Sequence, residues 1–104
     1  MPQFDLHENR NPKTKSLIPY LLDIQSDLLA DLATAVVIPV YLAGTVTHSM
    51  TRLTPKVDID GQSYLLLTPQ LASISRKELG KTVANLGSYR NEIIGAVDFL
   101  LAGF

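Results

Sequence analysis

His7 and His48 are the two imidazoles of the sequence, and with ten Asp and Glu side chains and no cysteine they bound the chemistry it can carry. Imidazole titrates nearest neutral pH and is the commonest metal ligand. A zinc site needs further His, Cys or carboxylate ligands at close spacing, and here the carboxylates around both histidines are scattered. Both therefore read as solvated polar residues. Asp58-Ile59-Asp60-Gly61 repeats the opening of a calcium-binding loop, but no glutamate follows at the bidentate position. The same residues are better explained as a hairpin turn, whose two central positions must tolerate positive φ. No G-x-S-x-G elbow and no glycine-rich phosphate loop is present. Arg76-Lys77-Glu78 is most simply a solvated turn. Catalytic residues, metal ligands and cofactors are accordingly none.

Nine basic against ten acidic residues give a net charge of -1, which argues against a nucleic-acid binder, because neutralising phosphates takes a surplus of Lys and Arg. Hydrophobic residues at 46% exclude disorder. The 104 residues form one domain, 1–104, with one modest core. The start, MPQFDLHENR, lacks the basic and then apolar order of a signal peptide. The longest apolar run, Ala35 to Ala43, is interrupted by Pro39 and falls short of the roughly 20 residues of a membrane helix. The expectation is a soluble cytoplasmic protein.

The elements that must position any site are mostly short strands. Phe4 and Leu6 alternate with polar neighbours in a first strand. Glu8 to Ser16 is a polar, mobile loop with Arg10, Lys13 and Lys15 against one acidic residue, a candidate contact for an acidic partner. Tyr20 to Gln25 is a second strand, followed by a turn or short irregular piece over Ser26–Asp31. Ala35 to Tyr41 is a strand covered on both faces, with Pro39 at a bulge or on the unpaired side. Gly44 to Leu53 is a loop with weak extended structure. Val57 and Ile59, the Asp60-Gly61 turn and Tyr64 to Thr68 form a hairpin. Ala72–Ile74 is one more short strand, Arg76 to Gly80 a charged turn, and Val83 to Leu86 a lead into the last element.

That last element, Gly87 to Phe104, is an amphipathic helix on the spacing of Tyr89, Ile93, Val97, Leu100 and Phe104, with Ile94, Ala96 and Leu101 beside them. Ser88 is placed to cap it and Gly103 to stop it. Arg90 falls inside the apolar stripe, its head available to a carboxylate. Gly95, Phe99 and Ala102 cluster on the opposite face beside Asn91 and Asp98, a patch on which something docks. The pattern predicts an α+β domain, mainly β, with a strongly bent sheet or partly open barrel and a C-terminal helix.

Asp23-Ile24-Gln25-Ser26-Asp27-Leu28-Leu29, Val37-Ile38-Pro39, Leu71-Ala72-Ser73-Ile74 and Arg90-Asn91-Glu92-Ile93-Ile94 through Gly103 resemble the CcdB toxin family, in order and nearly end to end. The resemblance implies an SH3-like barrel, a homodimer, and a toxin without catalysis of its own. Such a toxin traps DNA gyrase on cleaved DNA through the gyrase A subunit and is neutralised by a CcdA-like antitoxin. The family's gyrase-contacting positions fall at Leu28, Leu29, Asp98, Ala102, Gly103 and Phe104. Ala102 stands where the best-known pattern has a tryptophan, Asp98 where it has an asparagine, and Phe104 where it ends in isoleucine. Arg10, Lys13 and Lys15 become the candidate antitoxin contacts. Two alternatives follow: a non-toxic relative that only binds an antitoxin, and a MazF-like RNA endonuclease, which is similar in fold.

Overall fold

A computed structural model describes residues 3–47 and 49–103. His48 and Phe104 lie outside the described residues. Seven strands follow in chain order: β1 (Asp5–Asn9), β2 (Tyr20–Asp23), β3 (Thr34–Leu42), β4 (Lys56–Ile59), β5 (Gln62–Leu66), β6 (Ala72–Ser75) and β7 (Leu79–Asn85). The chain then enters one helix, α1 (Arg90–Ala102). All pairings are antiparallel, in the order β4-β5-β3-β2-β1-β7, with β6 also on β3. The architecture is a curled antiparallel half-barrel with one C-terminal helix, as the pattern of short strands and one late helix predicts.

The bend originates in β3. One edge of this strand pairs with β2 from Val37 to Val40, whereas the other pairs with β6 over Thr34–Val37 and with β5 over Val40–Leu42. Pro39 sits at this change of partner, where its carbonyl accepts from Leu67 N–H at 3.0 Å. In an extended residue the nitrogen faces the same edge as the carbonyl, so the missing donor falls where no ladder bond is called for. The hairpin between β4 and β5 turns at Asp60 (φ 51°) and Gly61 (φ 82°), the two positive φ values that a two-residue turn of this hand requires.

The concave face buries Leu6, Leu22, Ile38, Val40, Val57 and Leu66, and α1 closes it with Ile93 and Ala96. Each fully buried Leu or Ile contributes about 1.5–3 kcal/mol of hydrophobic stabilisation. Tyr89 ties the start of the helix to the hairpin, its hydroxyl accepting from Asp58 N–H at 3.1 Å. A smaller cluster of Leu21, Ala35, Val37 and Leu79 packs on the other face of the sheet, with Ile18 and Ile74 against it. Gly80 is required where β7 crosses β1: a Cβ there would lie 2.8 Å from the Glu8 carbonyl oxygen.

Several local expectations are corrected. Arg76–Glu78 do form a turn, but β7 takes up Leu79–Asn85, including most of the stretch read as a lead-in; periodicity does not reveal it, because its partner β1 is far away in sequence and its own residues alternate poorly. Ser88 does not cap α1. Gly87–Tyr89 form a 3-10 turn, Asn85 Oδ1 accepts from Gly87 N–H at 2.9 Å, and the helix begins at Arg90. Gly103 does stop it, at φ 81°, with its N–H on Phe99 O at 2.9 Å. Leu100 and Leu101 are exposed, since the sheet covers only the Ile93–Ala96 side of the helix.

Arg90 sends its guanidinium over the Phe4 ring, 5.6 Å from the centroid, where a carboxylate was expected. His7 is buried at 0% exposure, not solvated. Two register shifts in β1 flank it, and its ring lies on the face of its cross-strand partner Leu21, with Nδ1 3.2 Å from Gly80 O and 3.4 Å from Thr82 Oγ1.

Candidate functional site

Two surfaces combine exposure with order. The first is the segment between β2 and β3. Ser26 caps a 3-10 turn over Asp27–Leu29 by accepting from Leu28 N–H at 3.2 Å, as Ser and Asp at these positions favour. Leu28 is 93% exposed, and Leu29 and Leu32 are about half exposed. Three large apolar side chains on one short loop make this a candidate contact surface.

Polar side chains from neighbouring elements hold the loop. Gln25 Nε2 donates to Leu29 O at 3.3 Å and Thr34 O at 3.1 Å, while its Oε1 accepts from Val36 N–H at 3.2 Å. Asp27 Oδ1 accepts from Gln3 N–H. Arg76 reaches across from the turn after β6, its Nε donating to Leu32 O at 2.6 Å and its Nη1 lying 3.8 Å from Asp23 Oδ2. The expectation that Arg76 lies in a merely solvated turn is therefore corrected: its side chain is largely covered.

Asp23 is 1% exposed, and burial raises its pKa above the ordinary carboxylate value of 3.8, against the opposing pull of the Gln25 backbone N–H, Arg76 and His7. A carboxyl raised in the folded state gives stability that is full below its unfolded pKa and is lost as pH rises through the folded one. Asp23→Asn keeps an acceptor for Gln25 N–H and removes this titration. Urea unfolding of both proteins from pH 3 to pH 7 should show the stability of the wild type, relative to Asp23→Asn, declining as pH rises above about 3.8. A difference that is flat with pH would refute the assignment.

The second surface is the segment between β1 and β2. Glu8 and Asn9 belong to β1, so the loop begins at Arg10, and hydrogen bonds tie it to the end of that strand. Asn9, nearly buried, donates through Nδ2 to Thr14 Oγ1 and Ile18 O, both at 2.9 Å, and accepts from Asn11 N–H at 3.0 Å. A side chain placed inward at the end of a strand thus templates the loop. Arg10, Lys13 and Lys15 stay exposed around it. Arg10 borders two open concavities, one shared with Lys15, Pro19 and Tyr20 and the other with Lys13, Lys77 and Glu78.

Of the remaining predicted contacts, Asp98 and Ala102 lie on α1 and Gly103 follows it, while Phe104 is outside the described residues. Asp98, Ala102 and Gly103 are exposed at its C-terminal end, the first two one helical turn apart. Phe99 is half-buried beneath Arg52, whose guanidinium carbon stands 4.1 Å from the ring centroid, so the expected apolar patch is partly roofed by a cation. An open groove of about 320 Å³ runs beside it between Thr51, Arg52, Pro55, Lys56 and the Asn91–Ala96 face of α1. Among the described residues no hydrogen bond or ion pair joins the end of α1 to Leu28 and Leu29. Among the described residues no three His, Cys, Asp or Glu side chains gather as a metal site. No described helix is long and apolar enough to cross a membrane.

The fold is a curled antiparallel half-barrel with solvent-facing loops and one C-terminal helix. The comparisons give the family: the model described as CcdB protein matches residues 3–103, and the chain belongs to that family. The CcdB family is one of toxins from toxin–antitoxin pairs, and membership supports an antitoxin as partner. The fold is also that of a solved structure described as an endoribonuclease in complex with its cognate antitoxin from mycobacterial species. That similarity has 12% identity and a TM-score of 0.75, covering 97% of this chain and 94% of the other.

Proposed function

We propose that this protein is a gyrase-directed toxin that acts by binding, without chemistry of its own, and is silenced by a CcdA-like antitoxin. Membership of the CcdB family over residues 3–103 carries the reading. The solvent-facing Leu28 and Leu29, together with Asp98, Ala102, Gly103 and Phe104, supply the gyrase A contacts. A homodimer in the cytoplasm is the working form, its second copy presenting the same surfaces about a twofold axis. Exposed Leu100 and Leu101 favour a second copy against the helix. Expression in a sensitive bacterium with a readout of gyrase-linked DNA breaks tests the proposal. Growth arrest without such breaks would refute it, and RNA cleavage in their place would favour an endoribonuclease. The burial of His7 weighs against that alternative, since a general base must reach its substrate.

Arg10, Lys13 and Lys15 serve as the antitoxin contact, an ordered basic rim suited to a disordered acidic segment that folds on binding. Exposed ion pairs contribute about 0.2–1 kcal/mol each, so changing all three to Ala should weaken antitoxin binding roughly tenfold and reduce its salt dependence. The melting temperature should stay unchanged. Calorimetric titration at two salt concentrations decides, and an unaltered affinity and salt slope would remove the rim from the interface.

A further inference from the structure

We infer that Arg76 is a positioning residue that pre-organises the Leu28, Leu29 and Leu32 surface for a protein partner; this rests on reading that surface as a partner contact. Leu28 at 93% exposure packs on almost nothing, and half-exposed Leu29 and Leu32 bury only part of their side chains, so the loop needs further anchors to hold its backbone. Arg76 supplies three anchors on one planar group. Its Nε donates to Leu32 O at 2.6 Å, its Nη2 lies 3.4 Å from Leu29 O, and its Nη1 lies 3.8 Å from Asp23 Oδ2. Its own N–H donates to Ala33 O at 3.0 Å.

The anchor is itself rigid. Arg76 follows β6, which is paired with β3 through Thr34 and Ser75, and Asp23 is buried at the end of β2 with Gln25 N–H on its other oxygen at 2.9 Å. Both ends of the loop and its middle are thus tied to one sheet, with Gln25 holding Leu29 O from the opposite side. A lysine has a single point of charge and cannot reach two carbonyls and a carboxylate in this geometry. Ordering the loop before binding removes an entropy cost that the partner would otherwise bear.

The test compares Arg76→Lys, which keeps the charge beside Asp23, with Leu28→Ala and the wild type, all as full chains. Amide hydrogen exchange reads the loop through the N–H groups of Leu29, Ala30 and Leu32, which bond to Ser26 O, Asp27 O and Leu29 O. In Arg76→Lys these three amides should exchange about tenfold faster, the core strands and the melting temperature staying close to wild type. Binding to the purified A subunit of gyrase should weaken about tenfold in both variants. Unchanged exchange at these amides overturns the inference, as does faster exchange with wild-type binding while Leu28→Ala binds poorly. If Leu28→Ala itself binds like wild type, the surface reading fails, and with it the functional consequence drawn here.

Discussion

Replacing Ile93 with alanine is expected to cost about 3 kcal/mol of folding stability, whereas Leu101→Ala, eight residues later on the same helix, should cost the isolated monomer less than about 0.5 kcal/mol. Ile93 is 0% exposed among the core residues that join α1 to the sheet, and Leu101 is 76% exposed. Truncating Ile93 leaves a cavity between two rigid elements that cannot collapse around it, so the transfer term and the cavity term both apply. For a domain of this size the loss corresponds to a fall in melting temperature of roughly 15 °C. Urea unfolding of the two variants at a high and a low protein concentration checks the order. A loss at Leu101 that shrinks on dilution would show that a second copy covers it, and equal losses at both positions in dilute protein would mean that α1 docks on a different face.

The contrast between these two positions also shows what the sequence could and could not disclose. Period-3.6 spacing placed both residues in one apolar stripe, and it correctly located the helix, its glycine stop and the Asp60-Gly61 hairpin, because each is set by neighbours in the chain. Which part of the stripe meets the sheet depends on how far the half-barrel extends, and that is a tertiary quantity. β7 escaped notice for the same reason: its ladder with β1 joins residues about 75 positions apart and contains two register shifts that spoil any alternation. The burial of His7 depends on the second cluster, around its cross-strand partner Leu21, which covers the other face of the sheet. The exposed leucines were legible only through their place in a family pattern. The Arg76 anchor was not legible at all, since its partners stand 44 and 47 positions away with no motif linking them. The basic loop was visible as composition, but its order depends on a buried Asn9 that the sequence marks in no special way.

Removing the last three residues, Ala102-Gly103-Phe104, is expected to abolish growth inhibition while lowering the melting temperature by no more than about 5 °C. The two described residues of this segment are exposed. Its described backbone bonds are the last intrahelical one, from Ala102, and the Gly103 N–H to Phe99 O cap, each contributing about 0.5 kcal/mol at an exposed helix end. The helix keeps Ile93 and Ala96 in the core after truncation, so the fold retains its main anchor. Binding loses more, because Ala102 and Asp98 stand one turn apart on the side where Gly103 at φ 81° redirects the chain. A twofold dimer would present this surface twice to a twofold gyrase A subunit, so the loss counts at both copies. Alanine at 102 brings little contact area of its own, which throws the burden of anchoring onto the neighbouring terminal aromatic and the loop leucines. If Phe104 were instead a core residue, truncation would cost about 3 kcal/mol or more and leave inhibition to whatever folded protein remained. Unfolding of the truncated and full-length proteins, run beside binding to the gyrase A subunit, separates the two, and a large loss of stability with binding retained would refute the assignment of this terminus to the interface.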